Sequence, residues 1–245
     1  MPIKKNKRER IVRVPTDIPH FDEFIEGGFE KNTTNLLVGG SGSGKSVFAA
    51  QFLVGGIKKG EHCLYVTFEE KREQFYTNML EFDWDLEAYE KEGLFTFLEY
   101  TPGKIKTMLE EGGGVIENII IKQKVTRMVI DSITAFAELF EDKASQREAA
   151  LSLFGTIRDW NCTSLLTFEE VPIQGIKVAP KPLEFESDAI IVLYYKRIGN
   201  ERQRFIEILK MRGTNHSKKL YHFTIEDEKG IVIDPNPVSI NKEKG

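Results

Sequence analysis

The chain has little of what marks secreted or membrane-spanning proteins. Only two of its 245 residues are cysteine, Cys63 and Cys162. They are too few and too far apart for a disulfide framework, and no CxxC spacing suggests a metal or redox pair. Both lie in apolar, strand-like surroundings, which reads as buried thiols in a reducing compartment. No apolar run approaches the roughly 20 residues that span a bilayer, and the N-terminus carries no signal-peptide pattern. The expectation is a cytoplasmic protein with no membrane partner. An excess of positive charge is also missing: 34 Lys and Arg face 38 Asp and Glu, a net charge of −4. That balance argues against a general nucleic-acid binder, so nucleic acid stays possible but not favoured. Repeats of 20–50 residues and Pro/Gly/Ser-rich linkers are absent as well, which leaves one domain as the economical reading. Residues 14–245 would form it, after a basic arm at residues 1–13. In that arm Lys4, Lys5, Lys7, Arg8, Arg10 and Arg13 face only Glu9. A solvated tail explains the arm more simply than a nucleic-acid contact.

What is present is a phosphate cradle. Residues 39–46 read Gly-Gly-Ser-Gly-Ser-Gly-Lys-Ser, a complete match to the P-loop pattern G-x-x-x-x-G-K-[ST]. Its glycines let the backbone curl so that successive N–H groups point at phosphate oxygens. An apolar strand at Asn35–Val38 precedes it and a helical pattern at Val47–Lys58 follows it, so the phosphates meet the positive end of a helix dipole. The phosphate-binding set is Gly39, Gly40, Ser41, Gly42, Ser43, Gly44, Lys45, Ser46 and Val47. Lys45 reaches the β- and γ-phosphates, and Ser46 places its hydroxyl on Mg²⁺.

Beyond the P-loop, strand and helix patterns alternate. Strands are expected at 62–67, 94–98, 127–131 and 164–167, with helices at 72–83, from 105 towards 122, and at 144–160. Gly112-Gly-Gly114 is expected to split the second of those helices. From Ala189 onward come runs of strand with few helix signals, at 189–195, 204–210, 220–225 and 231–233. Alternating units followed by consecutive strands predict an α/β fold: a mainly parallel central sheet flanked by helices, extended at one edge by antiparallel strands towards the C-terminus.

A P-loop binds phosphates but hydrolysis needs a carboxylate near the metal and a group that orients water. Asp131 ends an apolar strand, which fits either the metal role or an ordinary surface carboxylate; beside an intact P-loop the metal role is favoured. Glu69 and Glu70 end another buried strand, where ligands of open α/β sheets collect. One of them could polarise the attacking water, or both could simply open the next helix; spacing alone does not separate these. Thr167 ends a third strand, within a second Thr-Phe-Glu-Glu tetrapeptide, as a candidate sensor of the γ-phosphate.

As a set, these motifs resemble the RecA superfamily, specifically its KaiC-like branch. The likeness also rests on Thr16–Phe29, Val129-Ile-Asp131-Ser132, and Lys210-Met-Arg212-Gly-Thr214-Asn-His216, in the family's order over nearly the whole chain. It implies a RecA-like P-loop ATPase that turns ATP into ADP and phosphate with Mg²⁺, within a homo-oligomer, a hexameric ring. Glu69 and Glu70 would be the catalytic pair. Lys210 and Arg212 would reach the neighbouring subunit's γ-phosphate, and Thr214 and His216 would touch nucleotide across the same interface, although His216 suits a structural role nearly as well. Signalling to a regulatory protein partner is the implied task. A recombinase-like DNA-binding ATPase and a non-enzymatic ATP-dependent scaffold are the alternatives. Asp17, His20 and Asn32 stand where the family pattern usually has glycine, so altered backbone is expected there, tempered by the tolerance of Asp and Asn for positive φ. The stretch 171–187 lacks an adjacent Ser-Thr pair, so self-phosphorylation in the clock manner is not expected.

Overall fold

The computed structural model describes residues 11–100, 114–134, 142–172 and 179–238. The N-terminal ten residues of the basic arm and the first part of the helix expected from residue 105 lie outside them. A two-stranded antiparallel ribbon, β1 (Arg13–Val14) with β2 (Phe29–Glu30), precedes a nine-stranded sheet. The strands of that sheet are β3 (Thr34–Gly39), β4 (Cys63–Thr67), β5 (Phe95–Glu99), β6 (Arg127–Asp131), β7 (Thr163–Glu169), β8 (Ala189–Ile198), β9 (Glu201–Met211), β10 (Tyr221–Glu226) and β11 (Gly230–Pro237). Their order is β11-β10-β9-β8-β3-β7-β6-β4-β5. The pairings from β8 to β5 are parallel and those from β8 to β11 antiparallel. This is the expected architecture, with the P-loop strand β3 near the centre.

The described helices are α1 (Lys45–Ile57), α2 (Arg72–Leu80), α3 (Leu86–Lys91), α4 (Gly114–Gln123), α5 (Lys143–Asp159) and α6 (Lys181–Glu186). Strand alternation sorts the core into two layers. On β4, Cys63 and Tyr65 join the cluster under α1 and α2, while Leu64 and Val66 join the cluster of α4 and α5. The side-chain period of two along a strand buried on both faces produces this split. The helix expected at 72–83 ends at Leu80; Asp83, with φ of 58°, turns the chain into the short α3. Among the described residues α4 begins at Gly114, the last glycine of the predicted break.

Asp17, His20 and Asn32 have φ of 59°, 67° and 61°. The positions where glycine was expected are therefore left-handed here, held by local bonding. Asp22 accepts from both the backbone N–H (2.9 Å) and the hydroxyl (2.8 Å) of Thr16, and from the Asp17 N–H at 3.2 Å. At the start of β6, Arg127 is fully buried and spans the floor of the domain. It forms a forked pair with Glu61 at 2.6 and 2.9 Å and donates to the carbonyls of Pro15 and Phe52 at 2.8 and 2.9 Å. Gly56 of α1 makes room for it, since a Cβ there would fall 2.5 Å from Arg127 Nε.

Candidate functional site

Four strand ends, those of β3, β4, β6 and β7, meet at one edge of the sheet, where open α/β folds gather their ligands. Together they border a cleft of about 480 Å³. β3 is buried along its full length and delivers Gly39 to the loop. Gly42 and Gly44 follow with φ of 74° and 101°, conformations that a side chain would strain. A Cβ on Gly39 would lie 2.4 Å from Ser43 Oγ and 2.9 Å from the Leu193 carbonyl. The loop is thus a tight backbone cradle that opens onto the N-terminus of α1, as its glycines predict. Lys45 Nζ donates to the carbonyls of Gly39 (2.9 Å) and Gly40 (3.2 Å) and lies 3.7 Å from Glu169 Oε2. The Ser43 hydroxyl is buried without a partner.

The end of β4 positions the two glutamates. Thr67 is buried, and its hydroxyl accepts the backbone N–H groups of Glu69 (3.3 Å) and Glu70 (3.1 Å), a side-chain turn that fixes their direction. Glu69 Oε1 accepts from Ser132 Oγ at 3.1 Å. Glu70 Oε2 is buried without a partner. Burial first, and then the charges of Asp131 and Glu69, push the Glu70 carboxyl up to about 7. Desolvation and like charge both disfavour the ionised form.

Asp131, at the end of β6, accepts hydrogen bonds from the Tyr65 phenol and the Thr167 hydroxyl. Burial, and then the Asp131 charge, hold Tyr65 well above its ordinary range, so it remains a neutral donor. Its phenol also interacts with the Ser46 hydroxyl, which links the two residues expected at the metal. Thr167 lies fully buried, engaged with Asp131. The peptide between Asp131 and Ser132 is cis.

Three contributors were not singled out in the sequence. Tyr65 read there only as a strand residue, and Thr67 only as the head of the Thr67-Phe-Glu69-Glu70 stretch, with no role of its own. Arg204 comes from β9, its Nε donating to the Gly42 carbonyl at 3.1 Å and its guanidinium over the Tyr195 ring at 4.6 Å. Neither the β9 register nor that crossing has a local signal.

Lys210, Arg212, Thr214 and His216 do not join this cleft. In the register, Lys210 faces Ile190 and Met211 faces Ala189, which faces Asn35 at the start of β3; Leu193 faces Gly39 at its end. Three residues at roughly 3.3 Å each along the strands and two inter-strand spacings of about 4.8 Å place Lys210 about 14 Å from Gly39 of its own P-loop. Lys210 Nζ donates to the carbonyls of Glu184 (2.7 Å) and Ser187 (2.6 Å); burial and then the Arg212 charge lower its pKa. Arg212 donates to the Phe185 carbonyl at 2.6 Å. Thr214 accepts from Arg13 at 2.7 Å, and the His216 ring lies 2.9 Å from the Ser217 carbonyl. Beside them Phe185 is 67% exposed. Cys63 and Cys162 are free and buried, as expected, and burial raises both thiols. No helix among the described residues is long and apolar enough to cross a membrane.

Residues 14–238 match the family described as "ATPase: KaiC". The circadian clock protein KaiC3 of Synechocystis is 35% identical over 232 residues, covering 92% of this chain and 46% of that protein. The chain therefore spans about half the length of the clock protein it matches. A UPF0273 protein of Pyrococcus furiosus is 35% identical over 240 residues, covering 92% of this chain and 95% of its own length. Among solved structures, a KaiC-like protein of Pyrococcus horikoshii superposes with a TM-score of 0.80 at 37% identity, covering 92% of this chain and all of that one.

Proposed function

The chain belongs to the KaiC family of ATPases, and from that premise we propose that it hydrolyses ATP to ADP and phosphate at a site shared between subunits of a hexameric ring. The residues present suit both ligands. The P-loop is a cradle in which a Cβ on Gly39 would collide with backbone, as phosphate binding through main-chain N–H groups requires. Ser46 and Asp131 are hard oxygen donors, suited to Mg²⁺ held by few protein ligands and by substrate phosphates. When bound, the cation withdraws charge from the β- and γ-phosphate oxygens.

The chain's own groups do the rest. Lys45 sits at the head of the cradle, where its ammonium meets the β- and γ-phosphates. Ser132 holds Glu69, and Glu70 accepts a proton from the attacking water. The observation that carries this reading is the half-buried Glu70 carboxyl, whose Oε2 is buried without a partner at the cleft; burial and the Asp131 and Glu69 charges push it up to about 7. A base poised near the working pH combines availability with driving force. What supports a shared site is the separation of Lys210 and Arg212 from their own P-loop, with Phe185 exposed beside them. From a neighbour, those cations would stabilise charge on the transferred phosphoryl group. Thr214 and His216 would contact the nucleotide across the same boundary. Nucleotide state would then be read by a protein partner through the ring.

Phosphate release and oligomeric state, each measured with and without ATP, test this directly. Slow turnover that falls about 10²-fold in Glu70→Gln is expected. Ring assembly without turnover, indifferent to Glu69→Gln and Glu70→Gln, would leave an ATP-dependent scaffold instead. Turnover that rises with single-stranded DNA and collapses with salt would point to the recombinase-like reading.

A further inference from the structure

Asp188 stands at the end of the sheet opposite the P-loop, between the base of β3 and Arg212. It lies between α6 and β8, and all its polar groups serve only two other residues. Oδ2 accepts the Thr34 N–H at 2.9 Å, and its own N–H donates to the Thr34 carbonyl at 2.8 Å. Its carbonyl accepts the Arg212 N–H at 2.9 Å, and Oδ1 lies 3.5 Å from the Arg212 guanidinium. Thr34 opens β3, the strand that ends in the P-loop at Gly39. Arg212 is half exposed, with 53% of its side chain accessible, whereas Asp188 is 22% accessible. A long, half-exposed cation, which also donates to the Phe185 carbonyl at 2.6 Å, is therefore anchored to the base of a fully buried strand. Buried strands in a close-packed sheet are stiff and pass a displacement on rather than absorb it.

We infer that Asp188 is a positioning residue: it presents Arg212 to the neighbouring subunit's nucleotide and ties that presentation to the strand carrying its own P-loop. The inference rests on the shared-site reading above. It makes each subunit a link, with its own nucleotide at one end of β3 and, at the other, the arginine it presents to its neighbour's nucleotide.

The test is a subunit-mixing experiment with the full chain. Asp188→Asn keeps an acceptor for Thr34 but removes the charge facing Arg212. Alone, it is expected to lower kcat for ATP about tenfold with KM moved less than about twofold, the signature of a lost transition-state interaction. Combined with Arg212→Ala, it should add nothing to the loss caused by Arg212→Ala alone. In excess Lys45→Ala subunits, which lack a working P-loop but carry an intact Asp188 and Arg212, turnover per Asp188→Asn subunit should return to near the wild-type value. A defect in folding or in its own P-loop would not be rescued, so turnover that stays low in the mixture overturns the inference, as does wild-type turnover of Asp188→Asn alone. Arg212→Ala in the same mixture separates the two levels. If it is impaired alone and not rescued, the shared site itself fails. If it is rescued while Asp188→Asn was never impaired, only the positioning role fails.

Discussion

The two ends of the sheet differ in how completely their polar groups are satisfied. At the P-loop end, Ser43 Oγ and Glu70 Oε2 are buried without partners, the only such side-chain atoms among the described residues. At the opposite end, Arg127 makes bonds to Glu61, Pro15 and Phe52, and Asp188, Lys210 and Arg212 are all engaged within their own chain. An unpartnered buried polar group costs stability, about 1–3 kcal/mol. Folding therefore tolerates at one end what a ligand would satisfy, and leaves nothing open at the other. The P-loop cleft thus carries unmet polar groups, while the far end holds its cations on backbone carbonyls.

Changes at the two ends should then have opposite consequences, and the largest is expected at the P-loop. Lys45→Ala should reduce turnover by about 10³-fold, roughly 4 kcal/mol of barrier, with a melting temperature near that of the wild type; single-turnover phosphate release and a thermal melt check both halves. At the other end, Arg127→Ala should strip Glu61 of its cation and the Pro15 and Phe52 carbonyls of a donor beside a new cavity, costing about 3 kcal/mol of stability. Denaturant unfolding would show the midpoint falling, while the ATP affinity of the remaining folded fraction holds. If Arg127→Ala instead spared stability and abolished turnover, the division between the ends would collapse. A smaller effect is expected from Glu70→Gln, about 10²-fold in turnover. Wild-type turnover should rise with pH as Glu70, whose carboxyl is raised by burial, loses its proton, and the variant should lack that rise. An unchanged pH profile in Glu70→Gln would transfer the role of base to another group.

The two ends also differed in how legible they were. The P-loop could be read residue by residue because its conformation is carried by local chemistry: Gly42 and Gly44 are left-handed, and Lys45-Ser46 open a helix. Asp131 was legible as the polar end of an apolar strand. The sheet's mixed character followed from the change after Ala189, from alternating units to consecutive strands. What could not be read depends on strand register between distant segments. Tyr65 reaches Asp131 across 66 residues and Arg204 reaches Gly42 across 162. Nor does any spacing reveal that Asp188 stands between Thr34 and Arg212. The six-residue helices α3 and α6 went unread because they are too short for a helical period to show.

The smallest expected effect is the one that compares the two ends most directly, because it sets two glutamates against each other under the same titration. Glu70 has a folded pKa raised to about 7, so the folded state holds a proton that the unfolded chain releases near its ordinary value of 4.5. Its contribution to stability is fully present below about 4.5 and is lost as pH rises through about 7. Glu61 is the reverse. Burial acts to raise its pKa, but hydrogen bonds from Arg127 and Thr126 outweigh that and lower it. Its contribution is present above the unfolded value of 4.5 and disappears as pH falls through the depressed one. Glu70→Gln should therefore raise the melting temperature at pH 8 and change little at pH 4. Glu61→Gln should lower it at pH 8, with the deficit shrinking towards pH 3. Melts of both variants across that range would settle the comparison by sign alone. If both shifted the same way at pH 8, the P-loop end would be no more strained than the end that anchors Arg127.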